Sequence, residues 1–328
     1  MSTHKTIKAG IIGGAGYTGG ETIRLLLNHP AVELSYVHSR SNAGEPMSKV
    51  HTDLVGETEL CFSATHHDDV DVLFLCVGHG EARAWFTGNK IKDTVKVIDL
   101  SQDFRLKSTS AMDNRQFLYG LPELNRECIQ QATSIANPGC FATAIQLGIL
   151  PLAKARLLQE VHTTGITGAT GAGQKLQETT HFSWRANNIQ AYKSLAHQHM
   201  QEIMETITFL QPSHKPLNFI PWRGDFARGI YVSSYTQCDL TIEAVYDLYE
   251  TYYATHPFTH VCKDATDMKQ VVNTNKCLVH LEKADDKLII HSMIDNLLKG
   301  ASGQAVQNMN LMFGLKEDTG LKLKAISF

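Results

Sequence analysis

The chain has 328 residues, 43% of them hydrophobic and 19% charged, with a formal net charge of −3. That length holds two domains with sizeable cores, and the composition is that of an ordinary soluble globular protein. With no stretch concentrating Lys or Arg, a nucleic-acid partner is not expected, and no apolar run reaches the roughly 18 residues of a membrane span. Met1-Ser-Thr-His-Lys5 passes into a strand within a few residues, which leaves no room for a signal peptide. The cysteines, at 61, 76, 128, 140, 238, 262 and 277, are scattered without a C-x-x-C pair. Neither a disulfide framework nor a metal site is expected, and a reducing cytoplasm fits.

Thr6 to Ile12 reads as a buried parallel strand, and Glu21 to Asn28 as an amphipathic helix ended by His29-Pro30. Between them lies Gly13-Gly14-Ala15-Gly16-Tyr17-Thr18-Gly19-Gly20. Glycines spaced Gly14-x-Gly16-x-x-Gly19 let backbone approach a pyrophosphate, which the helix N-terminus then holds. A plain glycine-rich turn is the alternative. The next strand, Glu33 to Val37, ends in His38-Ser39-Arg40-Ser41-Asn42, where an NAD site usually places Asp or Glu. A guanidinium flanked by the Ser39 and Ser41 hydroxyls suits a 2′-phosphate and points to NADP. The other reading of Arg40 is a solvated loop residue.

Val70 to Val77 and Lys96 to Leu100 are further buried strands, ending in Gly78-His79-Gly80 and Ser101-Gln102-Asp103-Phe104-Arg105. Ligands of doubly wound sheets lie beyond the carboxyl ends of strands, so Gly78, His79, Ser101 and Arg105 are expected to face one. Arg105 reads as a clamp for an anionic substrate or as half of a structural ion pair. Tyr119 to Leu124 reads as a turn. Ser134-Ile135-Ala136 is a short strand, and Phe141 to Leu150 a helix closed by Pro151. Cys140 thus falls where a strand turns into a helix. The first amides and the dipole of that helix favour a thiolate and can hold an oxyanion. Asn137 adds a side-chain donor, and Pro138-Gly139 sets a tight turn. A small core cysteine is the alternative.

Val161 to Thr167 is a strand followed by Gly168-Ala-Thr-Gly171-Ala-Gly173, a glycine loop without a strand–helix nucleotide context. It reads as a substrate-side phosphate cradle through Gly171 and Gly173, or as a flexible loop. Residues 197–210 form a helix with Ile203, Ile207 and Leu210 on its apolar side. At its start Glu202 lies one turn beyond His199 on the same face, placed to orient that imidazole as an acid–base group. His197 is assigned to substrate positioning; all three could instead be solvated residues on a helix start. Leu217–Trp222, Gly229–Thr236, Lys276–Glu282 and Lys287–Ile294 are strands, the last two joined by a hairpin at Ala284-Asp285-Asp286. The pattern predicts an α/β chain: a Rossmann domain, then an α+β domain with a mostly antiparallel sheet.

Taken together, the motifs closely resemble the N-acetyl-γ-glutamyl-phosphate reductase family. They are Gly13-x-x-Gly16-Tyr17-Thr18-Gly19, Ser39-Arg40-Ser41-Asn42-Ala43-Gly44, Asp99-Leu-Ser-x-Asp103-Phe104-Arg105, Tyr119-Gly-Leu-Pro-Glu123 and Asn137-Pro-Gly-Cys140. His197-x-His199-x-x-Glu202, Arg228-Gly229 and Asn296-Leu-Leu-Lys299-Gly300-Ala-x-Gly-Gln304-Ala-Val-Gln307 complete the set. The resemblance implies an NADP-binding domain over 1–140 and 300–328 and a catalytic and oligomerisation domain over 141–299. It implies that Asn296 and Gln304 serve the cofactor, that Arg228 and Lys299 join Arg105 and Asn137 at the substrate, and that the chain forms a dimer or tetramer. It also implies kinship with aspartate-semialdehyde and glyceraldehyde-phosphate dehydrogenases, and a reduction through a Cys140 thioester in arginine biosynthesis. Two departures stand out. Phe141-Ala142 replaces a common Tyr-Pro, and Gln174 replaces the arginine of a Ser-Gly-Ala-Gly-Arg loop, which leaves the N-acyl group open between acetyl, succinyl and others. Rival readings are a reductase of aspartyl or aminoadipyl phosphate and a catalytically silent NADP-binding regulator.

Overall fold

A computed structural model describes residues 6–327. Residues 1–5, expected to lead straight into the first strand, lie outside the described residues, as does Phe328. The chain forms two compact units, 6–138 with 301–322 and 139–300 with 323–327. Gly139 and Cys140 therefore open the second unit, and the tail beyond Lys322 joins it, not the first unit. Asn273 Nδ2 donates to Lys324 O at 3.0 Å and the Ile326 N–H donates to Val272 O at 3.3 Å.

The first unit contains strands β1 (Ile7–Ile12), β2 (Val32–His38), β3 (Val72–Leu75), β4 (Lys96–Asp99), β5 (Ala111–Met112), β6 (Arg115–Gln116), β7 (Leu118–Tyr119) and β8 (Ser134–Ala136). Its helices are α1 (Tyr17–Leu27), α2 (Met47–Val50), α3 (Glu81–Gly88), α4 (Pro122–Gln131) and the later helix Gly303–Met312. Six strands form one wholly parallel sheet in the order β2-β1-β3-β4-β8-β7. β3 and β8 are buried at every residue, as parallel strands covered on both faces must be. The chain order reverses beside β1, which has β2 on one side and β3 on the other; such a switch point opens a crevice at the strands' carboxyl ends.

Two readings of this unit change. Helix α1 starts four residues before Glu21, because Gly19 and Gly20 carry no side chain to reveal a periodicity. Gly19 packs so closely on the loop that a Cβ there would lie 2.6 Å from both Gly13 O and Gly14 O. The expected turn at Tyr119–Leu124 is instead the end of β7 and the start of α4, with Pro122 at the first helical position, where its missing N–H costs nothing.

The second unit contains α5 (Cys140–Lys154), β9 (Val161–Thr167), α6 (Phe182–Arg185), β10 (Gln190–Ala191), α7 (His199–Leu210), β11 (Leu217–Arg223), β12 (Ile230–Gln237), α8 (Ile242–Tyr253), β13 (Thr259–Cys262), β14 (Cys277–Ala284) and β15 (Lys287–Ile294). Its sheet runs β10-β11-β9-β12-β15-β14-β13, antiparallel except where β11 meets β9 and β13 meets β14. Helix α5 lies on β12 and β15 and packs against α7 and α8. Every residue from Phe141 to Ala153 is buried, as an all-apolar helix requires.

Helix α5 does not stop at Pro151 as expected but runs on to Lys154. A mid-helix proline cannot donate to the carbonyl four residues back, here Leu147 O. Tyr253 of α8 fills that gap, donating its hydroxyl to Leu147 O at 2.5 Å, while the Tyr249 hydroxyl donates to Gly148 O at 2.7 Å. Both phenols are buried, so the helix continues because another helix completes its hydrogen bonding.

Candidate active site and dinucleotide groove

Gly139 caps α5 in an extended conformation, and the first intrahelical bond runs from the Thr143 N–H to Gly139 O at 2.8 Å. The amides before it point out of the helix start around Cys140, which is partly exposed. The start of α7 closes on the same turn. Glu202 Oε2 accepts the Gly139 N–H at 3.1 Å. A Cβ on Gly139 would lie 2.6 Å from His199 Cε1 and 2.7 Å from Glu202 Oε1. Glycine is required here for closeness, not for its dihedral freedom. On the other side, a Cβ on Gly300 would lie 2.8 Å from Cys140 Cβ. Thiol, imidazole and carboxylate therefore meet at the N-termini of two packed helices.

His197 supports this group from behind. Its Nδ1 accepts the His199 N–H at 3.2 Å, which places the proton of the neutral ring on Nε2. The ring is buried among Phe141, Phe219 and Tyr192, with centroids 5.7, 5.6 and 5.8 Å away, and it stands 4.6 Å from the His199 ring. Burial, and then the charge of Lys193, push its pKa down to about 4. His197, expected to position substrate, is held as a neutral ring that fixes the start of α7. Phe141, the departure from Tyr, packs on Phe219 at 5.0 Å and forms part of that support.

Two residues that sequence reasoning passed over complete the surroundings. Burial, and next the Cys140 charge, push the Tyr192 hydroxyl up to about 12, with Arg223 pulling the other way. The Arg223 guanidinium lies over the Tyr192 ring, 4.9 Å from its centroid. Pairing of β10 with β11 brings them together, with Gln190 opposite Arg223, and no local motif marks either one.

Most amides of the loop 168–173, expected to cradle a phosphate, are bonded within the protein. The N–H groups of Gly168, Ala169 and Thr170 donate to Gly229 O, Phe226 O and Ala227 O, and those of Gly171 and Gly173 donate within the loop. Only a fold that brings residues 226–229 alongside could consume them, and the local sequence does not show it. Arg228 binds Asp295 with two guanidinium nitrogens, at 3.1 Å each, and Asp295 is fully buried. Asn296 accepts the Gly229 N–H at 2.7 Å and donates to Thr170 Oγ1 at 3.0 Å. Lys299 is fully buried, its Nζ 5.9 Å from the Phe258 ring centroid. Arg228 and Asn296 are thus held by bonds within the second unit, and Lys299 is buried in it. In the first unit, Arg105 Nε donates to Asn137 O at 2.9 Å and Nη2 to Leu100 O at 3.1 Å. Asn137 Nδ2 donates to Ala301 O at 3.0 Å, and Asn137 Oδ1 accepts from Asn308 Nδ2 at 3.1 Å. Gln304 is fully buried in its helix.

The switch point of the first unit carries a groove of about 970 Å³ lined by the loops after β1, β2 and β3. Each glycine of the first loop has a distinct task. Gly13 has φ +83°, and a Cβ there would lie 2.5 Å from Cys76 O. A Cβ on Gly14 would run into Val37. Gly16 has no atom nearer than 3.9 Å to that position and leaves its backbone open at the start of α1, with Tyr17 and Thr18 next in line. That surface fits a pyrophosphate. Farther along, Ser39 is buried, Arg40 is exposed, and Asn42 Nδ2 donates to Ser41 Oγ at 2.9 Å. The His66 ring stands between His38 and Trp85, 5.9 and 5.2 Å away, edge-on to the first and tilted to the second. Gly78 lines the groove, its N–H donating to Glu81 Oε2 at 3.1 Å. His79 is exposed and accepts the Gln102 N–H at 3.2 Å.

Residues 8–132 match the family model described as the semialdehyde dehydrogenase NAD-binding domain, and residues 140–296 the one described as the semialdehyde dehydrogenase dimerisation domain. Among solved structures, the fold is similar to aspartate semialdehyde dehydrogenase II of Vibrio cholerae complexed with ASA (TM-score 0.72, 17% identity, 94% of this chain and 98% of that one). It is also similar to aspartate semialdehyde dehydrogenase with NADP of Candida albicans (TM-score 0.67, 13% identity, 94% and 99%). Fold and site together define an oxidoreductase of the semialdehyde dehydrogenase class with a nicotinamide dinucleotide as cofactor. Relatives named N-acetyl-γ-glutamyl-phosphate reductase are 54% identical in Parabacteroides distasonis, over 98% of this chain and 100% of the relative, and 51% identical in Flavobacterium johnsoniae, over 98% and 100%. The chain belongs to the N-acetyl-γ-glutamyl-phosphate reductase family. Among the described residues, no helix is long and apolar enough to cross a membrane.

Proposed function

We propose that the protein reduces N-acetyl-γ-glutamyl phosphate to N-acetylglutamate semialdehyde, releasing phosphate at the expense of NADPH, in the arginine pathway of the cytoplasm. The observation that carries this reading is Cys140 at the first position of α5, with His199 and Glu202 closed over Gly139. The Cys140 thiolate attacks the acyl-phosphate carbon, and the carbon–oxygen bond to phosphate breaks, leaving a thioester on Cys140. The amides at the helix start stabilise the oxyanion formed on the way. A nicotinamide dinucleotide, which the Gly13–Gly19 loop and the start of α1 would hold, would supply the hydride that reduces the thioester. His199 protonates the developing oxyanion and takes the proton back as the carbon–sulfur bond breaks and the semialdehyde leaves. Glu202, tied to the Gly139 N–H, holds the start of α7, and with it the His199 imidazole, against the turn that carries the thiol.

The preference for NADP rests on exposed Arg40 between Ser39 and Ser41. A homo-oligomer, dimer or tetramer, is supported by the open face of the second unit's sheet, where Ile220 and Tyr235 are 37% and 46% exposed. The test is NADP-dependent, phosphate- or arsenate-requiring oxidation of N-acetylglutamate semialdehyde, with aspartate semialdehyde alongside. Activity on the first and its abolition by Cys140→Ser are expected. A preference for aspartate semialdehyde overturns the substrate assignment. A Cys140→Ser enzyme keeping more than about a tenth of the activity overturns the thioester, since loss of an essential nucleophile costs several powers of ten.

A further inference from the structure

Arg223 closes β11, opposite Gln190 of β10 and Thr167 of β9. Side chains alternate along a strand, so Arg223 shares a face with Phe219, whose ring packs on Phe141 and His197. A row of side chains thus runs from Cys140 and His199 through His197 and Tyr192 to the Arg223 guanidinium. Among the described residues, no carboxylate pairs with that guanidinium; the Tyr192 side chain is hydrogen-bonded to it, and its buried Nε donates to nothing. The charged groups around it do not neutralise it. Arg185 donates through Nε and Nη2 to Thr179 O, at 3.3 and 2.8 Å, and through Nη1 to Arg223 O at 3.1 Å. Burial and then the Arg223 charge lower the Arg185 pKa, as neighbouring cations do, with the Asp225 carboxylate pulling the other way from the Arg185 side. Lys193, whose charge is felt at His197, donates to Gln198 Oε1 at 2.9 Å, and Asp225 Oδ2 accepts the Asn187 N–H at 2.6 Å. A partly buried guanidinium beside like charges is costly unless an anion joins it.

We propose that Arg223 binds a carboxylate of the substrate, the end away from the reacting carbonyl, with the Tyr192 ring as the floor beneath its guanidinium. The planar fork of arginine matches a carboxylate through two parallel hydrogen bonds. Two carboxylates qualify: the α-carboxylate of the glutamyl group, and the terminal one of an N-succinyl group if the acyl group is that. The proposal rests on the reductase reading and names the specificity element of that same site.

The experiment is calorimetric binding of N-acetylglutamate and N-succinylglutamate to the full chain, as wild type, Arg223→Gln and Arg223→Lys. The rate of Cys140 alkylation by uncharged iodoacetamide, read by peptide mass, reports an intact thiol site. Arg223→Gln is expected to weaken binding by about 10- to 100-fold and Arg223→Lys by less, with the alkylation rate unchanged. Equal losses for both ligands assign the α-carboxylate, and a loss confined to N-succinylglutamate assigns the acyl carboxylate. Binding unchanged in Arg223→Gln overturns the proposal. So does a matching collapse of alkylation in both variants, which marks a structural role. A wild type that binds these ligands but turns over no semialdehyde counts against the reductase reading and leaves the Arg223 result standing.

Discussion

Glu202 Oε2 accepts the Gly139 N–H at 3.1 Å, so the carboxylate of one helix fixes the residue that caps the other. Gly139→Ala is predicted to fold, because φ −70° suits alanine, yet to push His199 and Glu202 off the turn. A displacement of about 1 Å at such a site costs on the order of 10²-fold in rate. Steady-state kcat with a thermal melt checks it; near wild-type kcat in the alanine variant contradicts the crowding described.

The three α7 side chains should separate in a pH–rate comparison. His199→Asn is predicted to lose about 10²–10⁴ in kcat, the range for a general acid–base group. Glu202→Gln keeps the shape but weakens the acceptor for Gly139, giving a smaller loss and a displaced pH profile. If His197→Asn is the most damaging in kcat, the acid–base role belongs to His197.

His197 also makes a stability prediction with a definite sign. Its folded pKa of about 4 lies below the ordinary 6.5, so between these values the unfolded chain binds a proton that the native one does not. Native stability is therefore complete above pH 6.5 and falls as the pH drops towards 4, by about 2 kcal/mol at pH 5 from this group. Denaturant melts across pH 4–7 should show His197→Asn with a shallower slope than wild type. Equal slopes refute the assignment.

Arg40→Ala is predicted to raise the KM for NADPH by about one to two powers of ten, the range for a charge-assisted contact, and to leave that for NADH nearly unchanged. Initial rates with both cofactors decide this. A wild type that uses the two equally well removes Arg40 from the cofactor site.

Tyr253→Phe is predicted to destabilise the second unit by about 1–3 kcal/mol, because Leu147 O is left buried without a donor. Denaturant unfolding measures it. Pairing the variant with Pro151→Ala, which restores the helical N–H, should recover part of the loss.

What the sequence disclosed and what it hid divide along chain distance. Cys140, the glycines of 13–19 and the β14–β15 hairpin at Asp285 were legible because each depends on neighbours a few residues away. So were β9 and the apolar side of α7, whose periods are intact. The bonding of the loop 168–173 was hidden because the amides of Gly168, Ala169 and Thr170 go to residues 226–229, and the course of α5 past Pro151 because its remedy, Tyr253, lies in another helix. Arg228, Asn296 and Lys299 sit in motifs that suggested ligands; their bonds to Asp295, Gly229 and Thr170 and the burial of Lys299 depend on residues far away in the chain and could not be read there. Tyr192 and Arg223 carry no motif, since only strand pairing brings them together.

The chain leaves the first unit at Pro138 and re-enters it at Ala301, which makes residues 139–300 an insertion to which the short tail beyond Lys322 is added last. Synthesis begins at the N-terminus and domains fold as units, so the order of emergence sets an order of assembly. The bonds from Asn308 to Asn137 and Gly120, and the pair between Arg126 and Glu317, wait for the last part of the chain. A nascent chain arrested near residue 300 already holds the sheet and helices around Cys140, while the dinucleotide-binding unit still lacks the helix that closes it.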